Sequence, residues 1–146
     1  MATATTQSSF ELARFQSLSA GDLVHYMEPV LGNKSISVSI ADLAQLSADL
    51  HNYDEYHLVY ALELGSDRSP DMFAPLVPEF LRHPSGSVRC AASRFLEHLP
   101  ARFVTPNLID SVRRALDSYP TSYRPKVEFF ADILPKLEKR LGQASA

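Results

Sequence analysis

The densest group of reactive side chains is the run His51-Asn52-Tyr53-Asp54-Glu55-Tyr56-His57, with two imidazoles and two carboxylates. Such a set can ligate a divalent cation or carry acid–base chemistry. The spacing works against a metal: two histidines six residues apart do not share one helical face, as an i, i+4 pair does. Asn52 followed three residues later by Glu55 reads instead as a helix start, with Asn52 as the cap. His25, His83 and His98 are isolated in sequence and read as surface or interface groups. Cys90 sits beside Arg89 near a helix start, a setting that can lower a thiol pKa. Its neighbours Val88 and Ala91 read it as a small packing residue. There is no Gly-x-Ser-x-Gly elbow and no glycine loop that would cradle phosphate. The expectation is therefore no enzyme, no catalytic residues, no metal and no cofactor.

Composition narrows the classes further. At 146 residues, 45% hydrophobic and 21% charged, the chain reads as one domain, 1–146, able to bury a core. A net charge of −3 gives no general pull toward nucleic acid or membrane. One cysteine excludes an internal disulfide and points to a reducing, cytoplasmic setting. No apolar run approaches the roughly 20 residues that span a bilayer, and the start MATATTQSS has no signal-peptide pattern. Charge is divided unevenly. Residues 1–65 hold eight acidic and two basic groups, a balance of −6, and residues 66–146 hold nine acidic and twelve basic, a balance of +3. The two halves predict two different faces for partners.

Helix signals recur along the whole chain. Ser8 with Glu11 forms a capping box ahead of Phe10, Leu12, Ala13, Phe15 and Leu18. Ser19 with Asp22, and Ser39 with Asp42, mark two more starts. Ile36 and Val38 alternate over a stretch too short to found a sheet. From Glu55 to Gly65 the pattern is apolar on nearly every side, which predicts a central helix, with Gly65 as its stop. Ser69-Pro70 and Thr105-Pro106 each place a cap before a proline at the first helical position. Pro75 and Pro78 predict a kink, or a helix that begins near Pro75, and Pro135 predicts another kink. Gly142–Ala146 should fray.

Shifted by 35 residues, the chain overlays itself. Phe73 meets Leu108, Val77 meets Val112 and Leu81 meets Leu116. Arg89 meets Arg124, Phe95 meets Phe130 and Leu99 meets Leu134. Val88, Ala91, Ala92, Phe95 and Leu99 share one face, and Val88-Arg89 opens the helix that carries them. The segment Pro75–Pro100 resembles a HEAT repeat. The resemblance implies an all-α, right-handed α-solenoid of about eight helices in antiparallel pairs. Three HEAT-like pairs would occupy 39–65, 70–100 and 105–140, behind a capping pair at 8–32. Such repeats often carry Asp before the proline of the turn, to bond the arginine that opens the second helix; this chain has His83 and Tyr119 there. The aligned column reads Asp54, Arg89, Arg124, and predicts that Asp54 approaches Arg89 to within about 6 Å.

A scaffold of this kind offers the second helix of each pair to a partner. The residues expected on that side are Tyr53, Asp54, Glu55, Tyr56 and Glu63, then Arg94, Glu97 and His98, then Arg124 and Glu128. Tyrosines beside carboxylates make an aromatic anchor with an acidic rim. The size and architecture resemble bacterial immunity proteins, which neutralise a cognate toxin by blocking its active site. That resemblance implies a non-enzymatic inhibitor of a basic toxin or enzyme. The alternative is a nucleic-acid-binding HEAT-like protein, which would use Arg113, Arg114, Tyr119, Tyr123, Arg124 and Lys126 on a basic C-terminal face.

Overall fold

Hydroxyl side chains start the helices where the sequence places them. Ser19 Oγ accepts from the Asp22 amide (3.3 Å), Ser39 Oγ from the Asp42 amide (3.0 Å) and Thr105 Oγ1 from the Leu108 amide (3.1 Å). Each bond satisfies one donor that a helix N-terminus leaves open. The computed structural model describes residues 9–33, 35–117 and 133–145. These residues are all-α. They hold the helices α1 Leu12–Ser17, α2 Ala20–Met27, α3 Ile40–Ala48, α4 Glu55–Arg68, α5 Pro70–Phe73, α6 Gly86–Glu97, α7 Pro106–Asp117 and α8 Ile133–Ser145. Short 3₁₀ turns occur at Leu50–Asn52, Ala74–Leu76, Pro78–Arg82 and Ala101–Phe103. Among the described residues there is no strand. A single parallel bridge joins Ser9 to Ser37, and the Phe10 amide donates to the Ser37 carbonyl (2.8 Å). Among the described residues, no helix is long and apolar enough to cross a membrane.

Helix α4 is central, as its apolar circumference predicts. It packs against α2, α3, α5 and α6. Helix α6 in turn packs on the turn 78–82 and on α8, and α7 packs on that turn and on α8. On α6, Val88, Ala91, Ala92 and Phe95 all point inward, with Leu99 just past its end. Buried apolar side chains form one cluster from Phe10 to Leu137.

Several elements depart from expectation, each for a physical reason. Phe10 lies before α1, because its amide bonds Ser37 rather than an earlier helical carbonyl. Ser8 lies outside the described residues, and Glu11 precedes α1 without a side-chain cap. The segment 70–82 begins at Pro70 and not near Pro75. Pro75 and Pro78 then divide it into α5 and two 3₁₀ turns, since neither ring can donate to the helical ladder. Pro135 is the third residue of α8, in the first turn, where a missing amide costs no intrahelical bond. Helix α8 continues through Gly142 to Ser145, where fraying was expected.

Two contacts define α4. Gly65 is not its stop; the helix runs on to Arg68. A Cβ at Gly65 would stand 2.4 Å from Cγ and Cδ2 of the buried Phe73 ring, so only glycine lets α5 come this close. At the C-terminal end, Arg68 reaches across to the loop after α2. Its Nη1 donates to the Ile36 carbonyl (2.6 Å), and its Nη2 to the carbonyls of Val30 and Asn33 (both 2.8 Å). Nε pairs with Asp67 (2.6 Å).

Gly65→Ala forces a carbon into the Phe73 ring, an overpacking that costs typically 1–3 kcal/mol. The better helix propensity of Ala offsets at most about 1 kcal/mol. We expect a net loss of roughly 1–2 kcal/mol, seen as a lower urea midpoint at unchanged slope. An unchanged midpoint would remove Phe73 from this role.

Candidate functional site

The polar run 51–57 divides between two destinations. His51 turns outward to Glu79 (Nε2 to Oε1, 3.0 Å), with its ring 5.2 Å from that of Phe80. His57 turns inward and is buried. Its Nδ1 lies 2.9 and 3.0 Å from the Asp54 carboxylate oxygens, and its Nε2 lies 3.0 Å from the Phe15 carbonyl. Both ring nitrogens thus face oxygen atoms, one on Asp54 and one on the backbone of α1. The cap is Asp54 and not Asn52: Oδ1 accepts from the His57 amide at 2.8 Å. Asn52 is already used in the 3₁₀ turn before it. Tyr53 stacks on His57 (6.2 Å) and meets Phe15 edge-on (5.7 Å), and its hydroxyl accepts from Gln16 Nε2 (3.1 Å). Burial raises the Tyr53 hydroxyl above its ordinary value. Tyr53, Asp54 and His57 are therefore a joint between α4 and α1. Among the described residues, no group of three or more metal-ligating side chains assembles.

The next residues link α4 to α6. Glu55 accepts from Ser85 Oγ at 2.6 Å. Asp54 and Arg89, expected to approach one another, each have other partners. Asp54 bonds His57, and Arg89, buried, donates through Nη1 to the carbonyls of His83 (2.5 Å) and Pro84 (2.9 Å). Backbone oxygens of the turn are thus among the acceptors of this arginine. His83 Nδ1 accepts from the Ser85 amide (3.0 Å), and desolvation holds that ring below its usual range.

Three predicted residues converge beyond this link. Glu63, Arg94 and His98 line an open cleft of about 370 Å³ between α4 and α6, with Leu62, Ala91 and Phe95 as its apolar side. Glu63 accepts from Arg94 Nη2 at 3.2 Å. Burial raises the Glu63 carboxyl, and Arg94 opposes the rise. Glu97 points to α8, where Lys136 Nζ donates to it at 2.7 Å and holds its carboxyl below the usual range. Tyr56 is 53% exposed.

Sequence reasoning missed three members of this face. Tyr60 lies one turn after Tyr56 on α4. Burial raises its hydroxyl above the ordinary value, and so do the nearby carboxylates of Glu63 and Glu28. Glu28 ends α2, and Val24, 44% exposed, lies one turn before it. The Tyr56-Tyr60-Glu63 spacing (i, i+4, i+7) was the signal that could have found Tyr60. Glu28 and Glu63 lie near Tyr60, with Arg94 and His98 beside Glu63, while Tyr56 and Val24 are exposed one turn along α4 and α2 from Tyr60 and Glu28.

The remaining candidates are scattered. Arg113 is held by Asp110 and by Glu138, both at 3.2 Å. Arg114 donates to Ser111 Oγ (3.4 Å). Tyr119, Tyr123, Arg124, Lys126 and Glu128 lie outside the described residues. Cys90 is exposed, not a packing residue: two residues past the inward Val88, a helix has turned about 200° away from the core. Comparison of the chain with family models, with curated proteins and with solved structures yields no match.

The Asp54–His57 joint carries a pH signature. Desolvation acts to raise the Asp54 carboxyl, but the His57 hydrogen bonds outweigh it and hold Asp54 below the usual range. A carboxyl depressed on folding contributes stability above its unfolded pKa of about 3.9, and that stability is lost as pH falls through the folded value. Asp54→Asn should cost up to about 1 kcal/mol at neutral pH, the size of an exposed charged pair. Urea denaturation should show this difference shrinking as pH falls below the unfolded carboxyl's value of about 3.9. A difference independent of pH would exclude the Asp54 charge as its source.

Proposed function

We propose that this chain is a non-enzymatic, cytoplasmic protein-binding module that clasps a basic partner on the α2–α4–α6 face. In this reading it acts as immunity proteins do, covering the working surface of a cognate toxin or enzyme. The observation that carries the reading is the aromatic and acidic patch around Tyr60. Val24 and Tyr56 are exposed, Tyr60 is half-buried, and Glu28 and Glu63 lie near it. Exposed aromatic rings on a rigid helix are effective anchors at protein interfaces. Carboxylates around them steer a basic partner and speed its encounter. Tyr56, Glu63, Arg94 and His98 retain the role expected for them, with Tyr60, Glu28 and Val24 added. Tyr53, Asp54 and Glu55 act behind the face, by holding α4 in place.

The proposed architecture is a right-handed α-solenoid of antiparallel, HEAT-like pairs. The succession α4 on α6 and α6 on α8 supports it, as does the turn 78–82 packing on α7. In such a stack each second helix adds to one continuous surface. That surface, and not an enclosed cleft, is what a partner would meet.

Affinity capture from the native host with the purified chain should retain a basic protein. Titration calorimetry with that protein should then show Tyr56→Ala, Tyr60→Ala and Glu63→Lys each weakening binding by about tenfold or more, roughly 1.4 kcal/mol. Arg113→Ala, outside the face, should leave it unchanged. A partner indifferent to all three substitutions would sink the assignment of the face. Retention of nucleic acid with steep salt dependence would favour the alternative class.

A further inference from the structure

Different elements build a second surface. Between the segment 71–82 and α7 runs a groove whose two ends are clefts of about 410 and 300 Å³, both touching Pro75 and Ser111. Its floor is apolar: Ala74, Leu108 and Ala115 are buried there, and Phe103 is half-buried. Three exposed arginines stand along it, Arg82, Arg102 and Arg114. Arg102 lies over the Phe103 ring at 4.6 Å, and among the described residues Arg114 donates to the Ser111 hydroxyl alone. Three other arginines pair with carboxylates, Arg68 with Asp67, Arg94 with Glu63 and Arg113 with Asp110 and Glu138, while Arg89 and Arg140 donate to backbone carbonyls. Among the described residues, none forms an ion pair with the three that line the groove. The groove's own carboxylates are engaged, Asp71 with Ser69 Oγ (3.1 Å) and Glu79 with His51 (3.0 Å).

We infer that this groove receives an extended, acidic peptide segment of a partner protein. Its carboxylates would form with Arg82, Arg102 and Arg114 the paired bonds that guanidinium groups favour and here lack. An apolar side chain between them would cover the floor of Ala74, Phe103 and Leu108. The mixed wall decides between peptide and polynucleotide. A phosphate chain carries a charge at every residue and seeks a continuous basic stripe, which Asp71 and Glu79 interrupt, whereas a peptide can place its carboxylates opposite the arginines alone. The same carboxylates can accept peptide N–H groups. The surface is thus opposite in charge preference to the α2–α4–α6 face, and does not depend on that face being a binding site.

The test is an amide chemical-shift titration of the full chain with a synthetic peptide of alternating Glu and Leu. A Lys–Leu peptide and an oligothymidylate are run in parallel. The acidic peptide should give saturable shifts confined to residues 71–82 and 102–115. Arg102→Glu with Arg114→Glu should weaken it by tenfold or more with the spectrum otherwise retained, and Glu63→Lys should leave it unchanged. Should the double reversal disturb the fold, Arg102→Gln with Arg114→Gln removes the same charges and should weaken binding in the same direction. Absence of saturable shifts with the acidic peptide, binding indifferent to these substitutions, or tighter binding of oligothymidylate at these residues would each overturn the inference.

Discussion

Helix α4 is held at both ends by hydrogen bonds that each span more than thirty residues of chain. Near its start the His57 ring reaches the Phe15 carbonyl, and at its end the Arg68 guanidinium gathers the carbonyls of Val30, Asn33 and Ile36. A buried carbonyl without a donor is costly, about 1–3 kcal/mol each. In the loop between α2 and α3, Arg68 adds a donor to the Val30 and Asn33 carbonyls, which also accept from the Asn33 and Ile36 amides, and supplies one to the Ile36 carbonyl. Hydrophobic burial makes α4 central, and these two side chains fix its position along and about its axis.

That rotational setting determines the surface. A helix turns about 100° per residue, so facing His57, Leu58, Ala61, Leu62, Leu64 and Gly65 inward leaves Tyr56 and Glu63 outward, with Tyr60 at the margin. The close approach of Phe73 over Gly65 removes any freedom to rotate by a small angle. The aromatic and acidic patch is thus a by-product of what the opposite side of the helix must bury. The Glu55–Ser85 bond extends the same register to α6, and brings Arg94 and His98 to the border of the patch.

How much could be read in advance follows from the range of each interaction. Caps at Ser19, Ser39 and Thr105 depend on residues three apart, and they stand where sequence places them. The inward face of α6 follows from periodicity alone. Asp54 in place of Asn52 is a local contest, settled because Asn52 belongs to the preceding turn and Asp54 is extended (φ −69°, ψ 174°). Gly65 is a common helix stop by type, and its true constraint, a ring eight residues on, is tertiary. Arg68 gave no local sign at all, since its acceptors lie 32 to 38 residues earlier. For the candidate site, Tyr56, Glu63, Arg94 and His98 were legible as outward positions. Tyr53 and Asp54 were not legible as a joint, because only contact with α1 decides that His57 turns inward.

The solitary thiol of Cys90 lies one helical turn before Arg94, so it projects from the same flank of α6 that borders the cleft. The native chain therefore carries one chemically addressable point beside the patch, with no second sulfhydryl to confuse the stoichiometry. A maleimide dye coupled there reports from a known place on an unmutated scaffold.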